Sequence, residues 1–235
     1  LDMEKGLLSR SFKIQLTDDI LVSVNSERFY SKSHPDSALL RYRLKVEEGD
    51  VDFTITSGIE ANVLNQDTNY GDSFWENFNS EIRESAGLVT STTKKTSFNI
   101  AASCTHNVRV NGQQVKGEFS NQTPSNFSAL YSTYLSNGDE IMIEKYVSIC
   151  TSFFYPDADL KAKSLDNLDE IINLGYDDLR DLQIAWWRKS WDQADISIEG
   201  DVKAQQGIRF NIFQLNQTYS GDHELLNIGP KGFTG

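Results

Sequence analysis

VDFTITSGI, residues 51–59, decides the fold class. Val51, Phe53, Ile55, Ser57 and Ile59 alternate with polar residues, and a period of two is the mark of a β-strand with one buried face. The pattern continues in both directions. Upstream, Ile20, Val22 and Val24 keep it; downstream, Ile141, Ile143, Val147 and Ile149 hold one phase with Glu144 and Ser148 outside it. Turn signals separate the runs at Thr17-Asp18-Asp19, Glu48-Gly49-Asp50, Val110-Asn111-Gly112 and Ser136-Asn137-Gly138-Asp139. The two Asn-Gly pairs are strong hairpin signals. Residue 7 to about residue 154 therefore reads as short strands and tight turns without crossover helices, which predicts an antiparallel β-sandwich. One stretch interrupts it. In Asp72–Ser85, Phe74, Phe78 and Ile82 recur every four residues, which predicts a short helix or an insertion.

Pro156 closes the last strand, and from Ser164 the period becomes helical. Ser164 followed by Asn167 is an imperfect N-cap signature. Leu165, Leu168, Ile171 and Ile172 mark one helix near 164–174, which Gly175 ends. A second runs over 177–195 with Leu179, Leu182, Trp186, Trp187 and Trp191 inward. Ile196 and Ile198 form an extended connector, and Asp201 caps a third helix over 201–219. In that helix Ala204, Ile208, Ile212, Leu215 and Tyr219 lie on one stripe, with Phe210 and Phe213 as a second ridge. So wide an apolar arc needs partners on two sides, and the residues after Tyr219 are a loop rich in glycine. The expectation is a piece of a larger protein.

Composition narrows the partners. The chain has 235 residues and a net charge of 22 − 34 = −12. An acidic surface repels nucleic acid and anionic lipid. No apolar run is long enough to span a bilayer, and the N-terminus lacks the pattern of a signal peptide. Cys104 and Cys150 read as free thiols, Cys104 continuing the core-facing phase of Phe98, Ile100 and Ala102. His34, His106 and His223 are scattered, with no His or Cys at helical ligand spacing, so no metal site is predicted. Sequons at Asn121, Asn126 and Asn216 are short enough to arise by chance. No nucleophile elbow, Walker loop or dinucleotide fingerprint occurs. The 34 Asp and Glu residues are too many for sequence to single out an acid. The spacing of Trp186, Trp187 and Trp191 favours packing over sugar stacking, and Tyr70, Phe74 and Trp75 are candidates for a groove or subunit contact.

GDVKAQQGIRFNIFQLNQTYSGDHELLNIGPKGFTG, residues 200–235, closely resembles the entry into the catalytic domain of family 65 glycoside hydrolases, the disaccharide phosphorylases; its IGPKGFTG ending is most like the maltose phosphorylases. LDMEKGLLSRSF, SERFYSKSHPDSALLRYRL, NQDTNYGDSFW and AWWRKSWDQADISIEGD resemble stretches of that family's N-terminal β domain and helical linker. The resemblance implies a mainly β fold. A galactose-mutarotase-like super-sandwich would occupy residues 1–157, a helical linker 158–199, and the start of an (α/α)6 barrel 200–235, cut short at both ends relative to the family.

The family's enzymes are inverting phosphorylases. One Glu acts as general acid and inorganic phosphate attacks where a hydrolase would use water. In the family that Glu, the phosphate ligands and a Trp-Asp pair that grips the sugar all lie past this chain's end, so no catalytic residue carries over. The resemblance implies no cofactor, only phosphate as co-substrate of the longer enzyme. Lys231, Gly232 and Thr234 are the candidates for a border of the substrate cleft, Lys231 as a cation. Their alternative is a plain helix-to-helix connection that needs positive φ at Gly229, Gly232 and Gly235. The implied partners are the catalytic barrel of the same polypeptide, maltose or a related α-glucoside, and a second copy in a homodimer. Nucleic acid and membrane are not among them, and a cytoplasmic location fits. Two other classes compete: a stand-alone carbohydrate-binding sandwich, and a structural scaffold without sugar contact.

Overall fold

A computed structural model of the chain describes residues 1–64, 73–219, 221 and 226. In chain order the strands are β1 (Leu8–Thr17), β2 (Ile20–Tyr30), β3 (Ser37–Glu48), β4 (Val51–Glu60), β5 (Trp75–Arg83), β6 (Ala86–Thr93), β7 (Asn99–Val110), β8 (Gln113–Gln114), β9 (Glu118–Ser120), β10 (Asn126–Leu135) and β11 (Glu140–Thr151). A 3-10 turn at Asp157–Asp159 leads into α1 (Leu160–Leu174), α2 (Tyr176–Ala194) and α3 (Val202–Thr218). The large sheet runs β1-β2-β3-β11-β7-β6-β5, with β8 paired to the end of β7; the small sheet runs β4-β10-β9. The pairings are antiparallel.

Three layers result. Between the sheets, Val22, Val46, Val108, Phe127, Leu135 and Ile141 are buried together. On the opposite face of the large sheet, α1 and α2 bury Leu168, Ile171 and Leu179 against Phe29, Leu39 and Tyr146. β4 behaves as its pattern demands, with Val51, Phe53, Ile55, Ser57 and Ile59 turned to the core and Asp52, Thr54 and Thr56 exposed. At one point the layers touch closely. A Cβ on Gly87 of β6 would lie 1.9 Å from the ring of Phe127 on β10, so only glycine admits that ring. The small sheet covers part of a face seven strands wide, and among the described residues β4 pairs on one side alone. The uncovered part exposes Leu8 and Ile14 of β1, Tyr30 of β2 and Tyr42 of β3, all 37 % or more accessible.

Several expectations need correction. Asp72–Ser85 holds no helix among its described residues; Trp75–Arg83 is the edge strand β5. Its register shifts between Glu76 and Asn79, and Asn77 takes φ 55°. A spacing of four is also a multiple of the strand period of two, so it does not separate strand from helix, and the bulge hides the alternation that would. Ser164 is no N-cap. α1 begins at Leu160, and Ser164 is buried inside it, its hydroxyl 2.8 Å from that of Ser103. In α2 Leu182 is exposed and Trp186 half-buried, while Gln183 takes the inward position. Glu144 and Ser148, placed by their phase on an outer face, are buried, because the helices cover that face too. The Ser136–Asp139 turn joins strands of different sheets rather than closing a hairpin.

Candidate functional site

A cluster of polar and aromatic side chains outside the sandwich core lies where the N-terminal loop, α2 and α3 meet. Leu179, Gln183 and Trp187 recur every four residues and form the buried stripe of α2. Trp187 stacks on Phe213, the buried residue of α3, with ring centres 4.6 Å apart. The chain from Asp2 to Leu7 folds around the other side of Trp187. Gly6 sits so close that a Cβ would fall 1.9 Å from the indole nitrogen, and its φ of +66° is one that side chains rarely take. Trp191 donates to the Met3 carbonyl at 2.9 Å, and Gln183 donates to the Gly6 carbonyl at 3.2 Å. An open cavity of about 450 Å³ lies beside this joint, lined by Leu1, Met3, Lys203, Gln206, Gly207 and Phe210. α3 begins as its sequence predicts, the Asp201 carboxylate accepting from the Ala204 N–H at 2.9 Å. Its outer surface is open, with Val202 84 %, Phe210 43 % and Leu215 54 % accessible.

Two charged groups lie deeper. Arg41 on β3 donates to Glu144 and to Asp177 of α2, and its guanidinium lies 3.9 Å from the centre of the Tyr176 ring. Burial works against its charge, but the bonds to Asp177 and Glu144 outweigh it and hold Arg41 above its ordinary pKa. Asn107 and Tyr146 complete the shell of Glu144. This is a satisfied buried pair that ties the sheet to α2, with no oxygen left for catalysis. His106 lies between the sheets. Its Nε2 is 2.8 Å from the Ser57 hydroxyl and its ring meets Tyr131 edge-on, but Nδ1 has no partner. Burial, then the nearby Lys145 ammonium, push its pKa down to about 3. Cys104 and Cys150 are free and buried, and burial raises the Cys104 thiol to about 11.

The predicted site residues Lys231, Gly232 and Thr234 lie outside the described residues, as do Tyr70 and His223. Phe74 is exposed and Trp75 half-buried at the edge of the large sheet. His34 sits in the turn after β2, bonded to Ser33 and 3.5 Å from Glu170 of α1. Among the described residues no group of three or more His, Cys, Asp or Glu is placed to hold a metal ion, and no helix is long and apolar enough to cross a membrane. The tryptophans form a packed joint rather than an open sugar platform. Gln183 was missed, although its spacing of four from Leu179 and from Trp187 is a signal that could have found it; Lys32, which joins the cluster from the turn after β2, had no local signal.

The described chain is an antiparallel two-sheet sandwich, backed by a helical pair and followed by a helix with one face open. The chain belongs to glycosyl hydrolase family 65, whose N-terminal domain it matches over residues 1–190. It is 31 % identical over 235 residues to the maltose phosphorylase of Bacillus subtilis (strain 168), covering 100 % of this chain and 30 % of that one. To the alpha,alpha-trehalose phosphorylase of Thermoanaerobacter brockii it is 27 % identical over 244 residues, covering 100 % of this chain and 31 % of the relative. A solved structure described as "Putative kojibiose phosphorylase from human microbiome" shares the fold, with a TM-score of 0.88 at 22 % identity over 100 % of this chain and 30 % of that one. The chain thus spans about 30 % of the length of the relatives it matches.

Proposed function

We propose that this chain is the non-catalytic N-terminal portion of a disaccharide phosphorylase, most like maltose phosphorylase. The longer enzyme would convert maltose and phosphate into glucose and β-glucose 1-phosphate. One Glu, outside these residues, would protonate the leaving sugar while phosphate attacks from the opposite face with inversion. The sandwich and α2 would support the catalytic domain that α3 begins, and Lys231, Gly232 and Thr234 would border its cleft. The observation that supports this best is the match of all 235 residues to a maltose phosphorylase, coupled with an α3 whose outer face is open. The preference for maltose rests on that likeness and on the IGPKGFTG ending.

The test compares this chain with the longer product of its gene, each incubated with phosphate and with maltose, trehalose or kojibiose. The longer product should release β-glucose 1-phosphate from maltose fastest, and the 235-residue chain none. Phosphorolysis by this chain alone would place the acid within it and sink the assignment; a product that prefers another disaccharide would remove only the maltose preference. One observation favours a second reading, a carbohydrate-binding sandwich. Phe12, Tyr30 and Tyr42 share the uncovered face of the large sheet, Tyr30 being 75 % accessible. Calorimetric titration of this chain with maltose or glucose decides it, micromolar binding favouring the module.

A further inference from the structure

Lys32 stands in the turn between β2 and β3, 151 positions from Gln183 and 184 from Asn216. Its backbone N–H donates to Oε1 of Gln183 at 2.9 Å. Its ammonium lies 5.0 Å from the centre of the Trp186 ring and donates to the carbonyls of Asn216 and Gln217. Those two oxygens belong to the last turn of α3, where a helix has no N–H left to offer its final carbonyls. The same end carries the negative pole of the helix, which favours a cation.

The other ties of α3 run to α2 and to the connector between α2 and α3. Arg209 pairs with Asp195, and Gln205 bonds Ile196 and Ile198, all in the connector or at the end of α2. Phe213 stacks on Trp187 of α2, and the Ser190 hydroxyl, also on α2, lies 3.3 Å from Oδ1 of Asn216. Among the described residues, Lys32 supplies the hydrogen bonds by which the β domain itself holds α3.

We propose that Lys32 is a positioning residue. It fixes where α3 ends against the β domain. It acts through α3, so that the sandwich, α2 and the end of α3 move as one piece. Where the longer protein is a phosphorylase, as proposed above, the clamp sets the place from which the chain enters the catalytic domain; only this functional consequence rests on that reading.

Hydrogen exchange read by mass spectrometry on this chain tests the clamp. Lys32→Met keeps an aliphatic stem over Trp186 and removes the charge, while Lys32→Arg keeps a donor. In Lys32→Met the amides of the last turn of α3 should exchange about tenfold faster or more, the effect of losing a charged hydrogen bond. Exchange in β11 should not change, and Lys32→Arg should restore most of the protection. Unchanged exchange at the last turn overturns the proposal, as does equal acceleration in β11, which would mean general destabilisation. In the longer protein, Lys32→Met should raise the KM for the disaccharide with a smaller effect on kcat, and Lys32→Arg should reverse it. An unaltered KM overturns the functional half. A longer protein without phosphorolysis removes the phosphorylase reading, and the exchange result still judges the clamp.

Discussion

His106 should make the stability of this domain depend steeply on pH in a range where most surface groups are silent. In the folded chain its pKa is pushed down to about 3 by burial and by Lys145, its cross-strand neighbour on β11. In the unfolded chain an imidazole titrates near 6.5. Between those values the unfolded state carries a proton that the folded state refuses, so acid favours unfolding. The stability that depends on neutral His106 is complete above pH 6.5 and is lost progressively as pH falls toward 3. At pH 5.0 the difference of 1.5 pH units corresponds to about 2 kcal/mol relative to pH 7.5, at 1.36 kcal/mol per unit. Urea unfolding at the two pH values, on the native chain and on His106→Gln, isolates it. The native chain should lose about 2 kcal/mol more than the variant, because the carboxylates titrate alike in both. Equal losses would refute the reasoning. If the variant does not fold, NMR of the native ring serves instead: its proton resonances should stay constant from pH 8 to pH 4.5, and a titration near 6.5 would show that the ring is solvated.

Gly87→Ala should destabilise the chain by about 3 kcal/mol in urea unfolding, since the added methyl meets the Phe127 ring at 1.9 Å and neither strand can retreat. Asp201→Ala removes the cap of α3 and should cost that helix about 1 kcal/mol, seen as faster exchange in its first turn with the strands unaffected. Cys104 and Cys150 should resist a thiol reagent at pH 8 and react within the mixing time once urea unfolds the chain, because both are buried and Cys104 is held near 11. The 235-residue chain should self-associate at high concentration in sedimentation experiments, through the open face of α3; Phe210→Glu should keep it monomeric, and unchanged association would exonerate that face.

The β pattern was legible wherever one face of a strand is covered, as in β4. It misled where the structure departs from that simple case. β5 hides behind a bulge at Asn77. β7 and β11 are covered on both faces, and the second face uses polar side chains that find partners in distant elements. Ser103 meets Ser164 across 61 positions and Glu144 meets Arg41 across 103. A polar residue in a strand reads as solvent-facing until its partner is known. The joint was half legible for the same reason. The stripe Leu179-Gln183-Trp187 is local and periodic, whereas Lys32 reaches Asn216 across 184 positions with nothing nearby to announce it.

The order of strands in the large sheet has a consequence for how the chain assembles. β11, the last of the described strands in chain order, lies in the middle, between β3 and β7. Until Thr151 has left the ribosome, β1–β3 and β5–β7 can form only as two separate ribbons, each presenting a bare inner edge to the other and to neighbouring chains. α1, which follows β11 almost at once, then covers the seam it has closed. Closure over so long a separation makes folding slow and leaves a window in which a chaperone, or another nascent copy, competes for the same edges.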